Sequence, residues 1–196
     1  MNQAIKKIIW DNQINIRPFV GKYLANKNIL DAGCGNGINA YFFKKRYSAN
    51  VTLLDNEDIR SNEVLFFPFV KASLEKIPFS DNDFDVAFLQ YVIHHISPEI
   101  SIVDALKELI RVSKILIIIE EITTEKTDLE KAIKFDAKMN KIIHPNVEMP
   151  IYCYYSDEQL KQYFNELGLE IIEEKVINEG SKDAGDLQSK IYVLSS

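Results

Sequence analysis

The sequence predicts an α/β protein, a three-layer sandwich in which a mostly parallel, seven-stranded sheet lies between helices. Short apolar segments alternate with amphipathic segments along the chain, which is the pattern of βαβ units. Residues 115–119 (ILIII) form a run without polar residues, as in a central parallel strand covered on both faces. Only a polar loop, residues 178–189, joins the last two predicted strands, so the last strand should pair antiparallel.

The elements follow in chain order. An apolar stripe predicts a helix over residues 13–26, with its regular part after Arg17 because Pro18 follows. The predicted strands cover residues 28–31, 51–54, 64–70, 85–90, 115–119, 169–177 and 190–194. The other predicted helices run from the glycine loop to Tyr47, over Pro98–Val112 with Ser97 as cap, over Lys126–Ile143, and from the Ser156 capping box to Gly168.

Composition limits the function classes. A chain of 196 residues with 46% apolar side chains suits one domain, residues 1–196. No membrane span or signal peptide is evident, so a cytoplasmic location is expected. A formal charge of -6 disfavours nucleic-acid partners, and two cysteines cannot build a disulfide framework or a Cys-based metal site, so no metal is predicted. Oligomeric state is not readable from the sequence.

Three alternating glycines lie between the first strand and the next helix, in the segment DAGCGNG of residues 31–37. Glycine allows a tight turn and lets backbone approach a ligand closely. Asp31 precedes the glycines, where a carboxylate suits an ammonium group or an ordered water better than a pyrophosphate. Asp55 ends the second strand, where an acid can accept both hydroxyl hydrogens of a ribose. An acid at Asp55 also fits NAD, whereas Asp31 does not.

Several motifs together resemble class I S-adenosylmethionine-dependent methyltransferases, over roughly residues 25–175. The segment Leu30–Gly37 is similar to motif I of that family, and Asp55 matches its ribose-binding acid. Further similar stretches are Ile77-Pro78-Phe79 with Asn82–Val86, Tyr91–Ile96, Tyr154–Leu160 and Leu167-Gly168-Leu169. The resemblance implies a Rossmann-like fold with S-adenosylmethionine as cofactor.

The resemblance also implies the cofactor-binding residues. The adenine would lie at Ser73 and Leu74, where the family usually has Asp at the first position, and Gln90 would face the methionine moiety. Cys34 would be a small filler within the loop. The complete expected set is Asp31, Gly33, Cys34, Gly35, Gly37, Asp55, Ser73, Leu74 and Gln90.

Catalytic and substrate residues are expected around the carboxyl edge of the sheet. His94 or His95 is a candidate general base, or the pair caps the next helix. The insertion at residues 123–155 is long enough to act as a substrate lid. The candidate substrate-binding residues are Trp10, His144, Tyr152 and Tyr154, with aromatic packing as the alternative for the tyrosines.

The expected function is therefore methyl transfer to an oxygen, nitrogen or carbon atom of a small molecule. The segment Gln90–Ile93 lacks the Asn-Pro-Pro-aromatic arrangement of amino-methyltransferases that act on bases or glutamine side chains. The alternatives are a cofactor-binding or partner-stabilising protein without turnover and an NAD-dependent oxidoreductase.

Overall fold

The computed structural model describes residue 16 and residues 19–196. Within these residues the sheet has eight strands: β1 (Asn28–Ala32), β2 (Asn50–Asp55), β3 (Phe69–Lys71), β4 (Phe84–Gln90), β5 (Ser113–Thr123), β6 (Tyr155–Ser156), β7 (Glu170–Asn178) and β8 (Gln188–Ser195). The helices are α1 (Ile38–Tyr47), α2 (Ile102–Val112), α3 (Leu129–Ile143) and α4 (Asp157–Glu166), and residues 19–24 are also helical.

The sheet is a mixed, Rossmann-like sheet with the order β3-β2-β1-β4-β5-β8-β7, and the two-residue strand β6 pairs with β5. Strands β1 to β5 pair in parallel, whereas β8 runs antiparallel to both β5 and β7. The predicted fold class is confirmed. The extra strand is the short β6, which the apolar pattern does not reveal.

Strand β5 is covered on both faces, as its apolar run predicts. Leu116 and Ile118 pack in the cluster that contains α2 and α4, while Ile117 and Ile119 pack in the cluster that contains α1. All four side chains are buried because successive strand residues point to opposite faces. The two clusters are the two interfaces of a three-layer sandwich.

Several predicted boundaries are wrong, and the helix expected from Lys126 begins at Leu129 because Asp128 provides its cap. The strand expected over residues 64–70 is a 3-10 turn at Asn62–Val64 followed by β3 at Phe69–Lys71. The Pro68 carbonyl accepts a hydrogen bond from Leu53 N–H at 2.8 Å, but Pro68 has no N–H to extend the ladder. Val64 is buried against the α1 cluster instead of pairing as a strand residue.

The helix expected from Pro98 begins at Ile102, because Ser101 rather than Ser97 provides its cap. The Ser101 hydroxyl accepts a hydrogen bond from Asp104 N–H at 3.3 Å. Ser97 closes a separate turn through its carbonyl, which accepts from Ile100 N–H at 2.8 Å. Two serines four residues apart offer the same capping signal, and only the packing of the helix selects one.

The insertion between β5 and β6 is tied to the loop that precedes β8. Helix α3 has Asp128 as its cap, whose carboxylate accepts from Lys131 N–H, and Asp128 N–H donates to the Gly185 carbonyl at 2.9 Å. A Cβ on Gly185 would lie 2.6 Å from Ala132 N, so this close approach requires glycine. The insertion therefore has a fixed base. Among the described helices, none is long and apolar enough to cross a membrane.

Candidate functional site

The glycine loop lies at the carboxyl edge of the sheet and is held by its neighbour β2. The N–H groups of Gly33 and Cys34 donate to the Leu54 carbonyl at 2.8 and 3.0 Å. Gly35 N–H donates to Asp55 Oδ2 at 2.8 Å. Gly33 has a φ of +68°, and a Cβ there would lie 2.6 Å from the Val92 side chain. Backbone conformation and close packing both require glycine at this position.

A cavity of about 260 Å³ opens beside the loop, and we call it the first cavity. Asp55, Ser73 and Leu74 all line it, as the sequence predicts for a nucleoside site. The cavity is also lined by two loop glycines, an acid, and aromatic and apolar side chains: Gly33, Gly35, Glu57, Ile59, Tyr91, His95, Ile96, Ile100, Met149 and Tyr152. Its walls thus combine acids with branched apolar side chains, a composition that suits a ribose and a flat heterocycle.

Among the described residues, the polar atoms that are buried without a hydrogen-bond partner include Asp31 Oδ2, Ser73 Oγ and Gln90 Oε1. A buried polar group without a partner costs free energy, so most such groups are paired in native proteins. Each of the three belongs to the predicted cofactor set. A ligand that offers donors to these atoms would remove that cost, and a nucleoside with an amino-acid tail does so.

Asp31 lies beneath the glycine loop with only 1% of its surface exposed, and it lines neither cavity. Burial, followed by the negative charge of Asp55, raises the pKa of Asp31 to about 8. An Asn39 side-chain hydrogen bond partly offsets this effect. The carboxyl is therefore held at the loop at a cost to the unliganded protein.

Replacing Asp31 with Asn should stabilise the unliganded protein, increasingly so at higher pH. An acid whose pKa is higher in the folded than in the unfolded state destabilises the fold as pH rises from about 4 to about 8. Unfolding in denaturant at pH 5 and at pH 9 should show a gain that grows to roughly 2–4 kcal/mol at the higher pH. An equal gain at both pH values would contradict the burial argument.

A second cavity of about 450 Å³ lies on the other side of the loop, beneath the insertion. It shares Gly33, Gly35, Tyr91, His95 and Met149 with the first cavity, so the two meet at the loop. Gln90, His94, Glu121 and Asn178 contribute to its walls, and α3 contributes Phe135, Asp136, Met139, Asn140 and Ile143. Among the described residues, no Lys or Arg lines either cavity.

His94 is buried beside the second cavity in a network with acids. Its Nδ1 lies 2.5 Å from Glu120 Oε1, and its Nε2 lies 3.7 Å from Asp136 Oδ2. Burial alone would lower the pKa of His94, but the Glu120 carboxylate outweighs burial and raises it to about 9. His94 therefore carries a proton near neutral pH, which makes it a poor general base.

Glu120 holds the network together at the end of the apolar run of β5. Its Oε2 accepts from Ile93 N–H at 2.7 Å and from Val92 N–H at 3.2 Å, and its Oε1 accepts from Glu121 N–H at 2.9 Å. Burial would raise the pKa of Glu120, but His94 and these N–H groups hold it below the ordinary value. The side chain fixes the segment that carries both histidines.

His95 differs from His94 in both position and protonation. Its Nδ1 lies 2.7 Å from the Pro150 carbonyl, and because a carbonyl only accepts, Nδ1 carries the hydrogen. The neutral ring therefore has its lone pair on Nε2. Burial, followed by the neighbouring His94, lowers the pKa of His95. His95 lines both cavities and is held in the tautomer of a proton acceptor.

Glu121 and Asp136 bring two acids together across the second cavity. The Tyr154 hydroxyl donates to Asp136 Oδ2 at 2.5 Å, and the Tyr154 ring stacks on His94 with centroids 5.4 Å apart. Burial, followed by the charge of Asp136, raises the pKa of Glu121 to about 8. Glu121 lies on β5 and Asp136 on α3, so their contact depends on how the insertion folds back.

Residues 30–115 match the family model of the methyltransferase domain. Over these residues the chain carries a class I S-adenosylmethionine-dependent methyltransferase domain. The family uses S-adenosylmethionine, and motif I, Asp55, Ser73 and Leu74 all fall within the matched range. Comparison with curated protein sequences gives no match.

Solved methyltransferases share the fold of this domain. The 1,6-didemethyltoxoflavin-N1-methyltransferase of Burkholderia thailandensis, with bound S-adenosylhomocysteine, aligns at a TM-score of 0.69 and 13% identity over 97% of this chain and 82% of that one. A putative sarcosine dimethylglycine methyltransferase from Galdieria sulphuraria aligns at 0.68 and 15% identity, covering 99% and 90%. The [4+2]-cyclase SpnF also shares the fold, at 0.69 and 16% identity over 94% and 81%.

The methyltransferase domain brings most of the predicted site residues together. Every residue of the predicted cofactor-binding set borders a cavity except Asp31, which lies beneath the loop, and Gly37, whose φ of +76° starts α1. Cys34 is buried and lines the second cavity, and burial with the nearby acids raises its thiol pKa far above the ordinary value. A filler role agrees with this environment, because the reactive form is the thiolate.

The predicted substrate residues separate into three groups. His144 lines the second cavity and packs on the glycine loop, since a Cβ on Gly35 would lie 3.2 Å from its ring, and Tyr152 lines the first cavity. Tyr154 lines neither cavity, because its hydroxyl is bonded to Asp136 behind the wall. Substrate contact by Tyr154 stays a prediction, and aromatic packing on His94 is the contact that the structure shows. Trp10 lies outside the described residues.

Sequence reasoning missed Glu120, Glu121, Asp136 and Glu57. Glu57 lies two residues after Asp55, and its place next to a strand end was a usable signal. Glu120 and Glu121 follow the most apolar run of the chain. Parallel sheets bind ligands at the carboxyl ends of their strands, so the sequence position of these two acids also indicated a site. Asp136 had no local signal, since it is one of several acids on a polar helix.

Proposed function

We propose that this chain transfers the methyl group of S-adenosylmethionine to an oxygen, nitrogen or carbon atom of a small-molecule acceptor. The observation that carries this proposal is the pair of cavities that meet at the glycine loop. The first has the residues for an adenosine, the second is lined on one side by helix α3 of the insertion, and His95 lines both. Methyl transfer requires such an arrangement because donor and acceptor must meet in line.

The residues around the first cavity fit the cofactor. Asp55 Oδ2 already accepts from Gly35 N–H, and a carboxylate has further lone pairs for ribose hydroxyls. Ser73 Oγ is buried without a partner among the described residues, so the adenine edge would give it one. Ile59, Leu74 and Ile100 supply apolar surface for the ring. Gln90 Oε1 and Asp31 Oδ2, which are buried without a partner among the described residues, are the acceptors that we assign to an ammonium group or its hydrating water.

The lining charges support this cofactor over a nicotinamide dinucleotide. A pyrophosphate would meet Asp55 and Glu57 in a cavity with no Lys or Arg among its described lining residues. Asp31 adds a third carboxyl directly beneath the loop. Anionic phosphates next to acids are unfavourable, whereas a sulfonium and an ammonium are favourable.

The residues of this chain contribute to methyl transfer by positioning the donor and the acceptor and by accepting a proton. When bound, S-adenosylmethionine supplies an electrophilic methyl group on a sulfonium. His95 offers Nε2 as a base for the proton of a hydroxyl or amine acceptor, held by the Pro150 carbonyl. Apolar side chains of the insertion, including Phe135 and Ile143, supply apolar surface to the wall of the second cavity. A small metabolite matches a cavity of this size better than a nucleic acid.

Replacing Asp55 with Ala should weaken binding of S-adenosylhomocysteine and S-adenosylmethionine about 5- to 150-fold, a loss of about 1–3 kcal/mol. The reason is the loss of the acceptor for ribose hydroxyls. Isothermal titration calorimetry of both cofactors measures this directly. The control is Glu75→Gln, which removes one exposed charge outside both cavities and should leave affinity unchanged.

Turnover requires a separate test, because the fold also occurs in a [4+2]-cyclase. Wild-type protein is incubated with S-adenosylmethionine and a panel of phenols, carboxylic acids, amines and activated carbon acids. Release of S-adenosylhomocysteine is the readout. Release that depends on one acceptor class supports the proposal, whereas cofactor binding without any release supports a cofactor-binding protein. Equal cofactor affinity of wild type and Asp55→Ala would refute the ribose assignment.

A further inference from the structure

Three side chains with metal-ligating atoms meet at the wall of the second cavity. His94, Glu121 and Asp136 each offer one nitrogen or oxygen atom, and these atoms all lie within 4.8 Å of one another. All three residues line the second cavity. They come from three different elements: the 3-10 turn after β4, strand β5 and helix α3.

A second observation shows that this cluster is incomplete in the protein alone. Glu121 Oε2 is buried and has no hydrogen-bond partner among the described residues. No Lys or Arg is among the residues described as lining this cavity, so its walls provide no basic side chain except histidine. Two acids beside each other with an unpaired buried oxygen form a favourable place for a cation, because unpaired buried carboxylates are strongly disfavoured.

The three side chains are also held in the orientation that a metal site requires. Glu120 Oε1 forms a hydrogen bond with His94 Nδ1 at 2.5 Å, so the other ring nitrogen, Nε2, lies on the side of Asp136. The Tyr154 hydroxyl donates to Asp136 Oδ2 at 2.5 Å and so fixes the orientation of this carboxylate. A carboxylate on the far nitrogen of a ligating histidine, and hydrogen bonds to ligating carboxylates, are the usual supports of metal ligands.

We propose that His94 Nε2, Glu121 and Asp136 bind one divalent transition-metal ion at the wall of the second cavity. One imidazole and two carboxylates suit Mn²⁺, Fe²⁺ or Zn²⁺ rather than a soft ion. With metal–ligand bonds of about 2.0–2.2 Å, ligand atoms lie roughly 3–4 Å apart, so small side-chain rotations close the observed spacing. The ion takes the place of the proton on Nε2.

The role of this ion rests on the proposed function. Three protein ligands leave coordination positions open, and these face the cavity assigned to the acceptor. A metal there orients an acceptor oxygen or nitrogen and lowers its pKa, which assists removal of its proton by His95. The acceptor class is thus a small molecule with a chelating oxygen or nitrogen group. The sequence alone did not suggest a metal, because the three ligands come from separate segments.

The test is calorimetric titration of tag-free, chelator-treated protein with MnCl₂ and with ZnCl₂. Wild type should bind one ion per chain with either metal or both. Glu121→Gln and Asp136→Asn should bind at least tenfold more weakly, because each loses a charged ligand. The matched control is Glu125→Gln, an exposed acid of the same insertion, which should bind like wild type. Circular dichroism establishes that each variant is folded.

Absence of binding to wild type by both metals would overturn the proposal, as would equal affinity of Glu121→Gln, Asp136→Asn and wild type. His94→Gln provides a second readout, since loss of a nitrogen ligand should weaken Zn²⁺ more than Mn²⁺. The same samples are titrated with S-adenosylhomocysteine. Cofactor binding without metal binding refutes only the metal site, whereas metal binding without cofactor binding refutes only the proposed function.

Discussion

Replacing Glu120 with Ala should lower the free energy of unfolding by about 3–5 kcal/mol, the loss typical of breaking a buried ion pair. Glu120 is 1% exposed and accepts hydrogen bonds from Val92, Ile93 and Glu121 N–H groups in addition to His94. The alanine would remove the acceptor of these three backbone N–H groups and of the His94 ring inside the protein, and leave them unpaired. Urea unfolding followed by circular dichroism measures the change.

The comparison variant is Glu120→Gln, which keeps an oxygen acceptor for the backbone N–H groups and removes only the charge. It should lose less stability than the alanine variant, since His94 can then remain neutral. A loss below about 1 kcal/mol for the alanine variant would show that the network is not a structural element of the domain.

Replacing His95 with Gln should reduce kcat by about 10²–10⁴-fold, the usual contribution of a general base. The Pro150 carbonyl fixes His95 with Nδ1 protonated, and His94 disfavours a second positive charge beside it. Glutamine keeps a similar size and a donor for the carbonyl but has no basic nitrogen. Steady-state kinetics with the acceptor found in the panel, and cofactor affinity by calorimetry, measure the two effects separately.

His144→Gln is the matched comparison, because His144 lines the same second cavity on the side of the glycine loop. Burial, followed by the neighbouring His95, lowers the pKa of His144 to about 4, so it is neutral near pH 7. Its replacement should act mainly on the KM for the acceptor. Unchanged kcat in His95→Gln would remove His95 from the proton-transfer role.

The nucleoside half of the site was predictable because its signals are local. The glycine loop needs positive φ at Gly33, and Asp55 ends the neighbouring strand, so both follow from the order of residues along the chain. Ser73 and Leu74 were placed through the family resemblance, and the structure puts both in the first cavity. In these positions the backbone itself brings the residues together.

The acceptor half was not predictable to the same degree because it depends on the insertion. Tyr154 carries an aromatic ring in a cluster that suggested substrate contact, yet its hydroxyl bonds to Asp136. Asp136 contacts His94 and Glu121 only because α3 folds over the end of β5. The predicted start of helix α2 was wrong for a related reason. Ser97 and Ser101 are equivalent candidates for the N-cap in the sequence, and only tertiary packing distinguishes Ser101 from Ser97.

The most direct test of the central claim is a crystal structure of the chain with S-adenosylhomocysteine. We expect adenosine in the first cavity, with ribose hydroxyls within about 3 Å of the Asp55 carboxylate and the adenine against Ser73 and Leu74. The sulfur should face the second cavity beside His95. A cofactor bound away from Asp55, or with its sulfur turned away from the second cavity, would contradict the account.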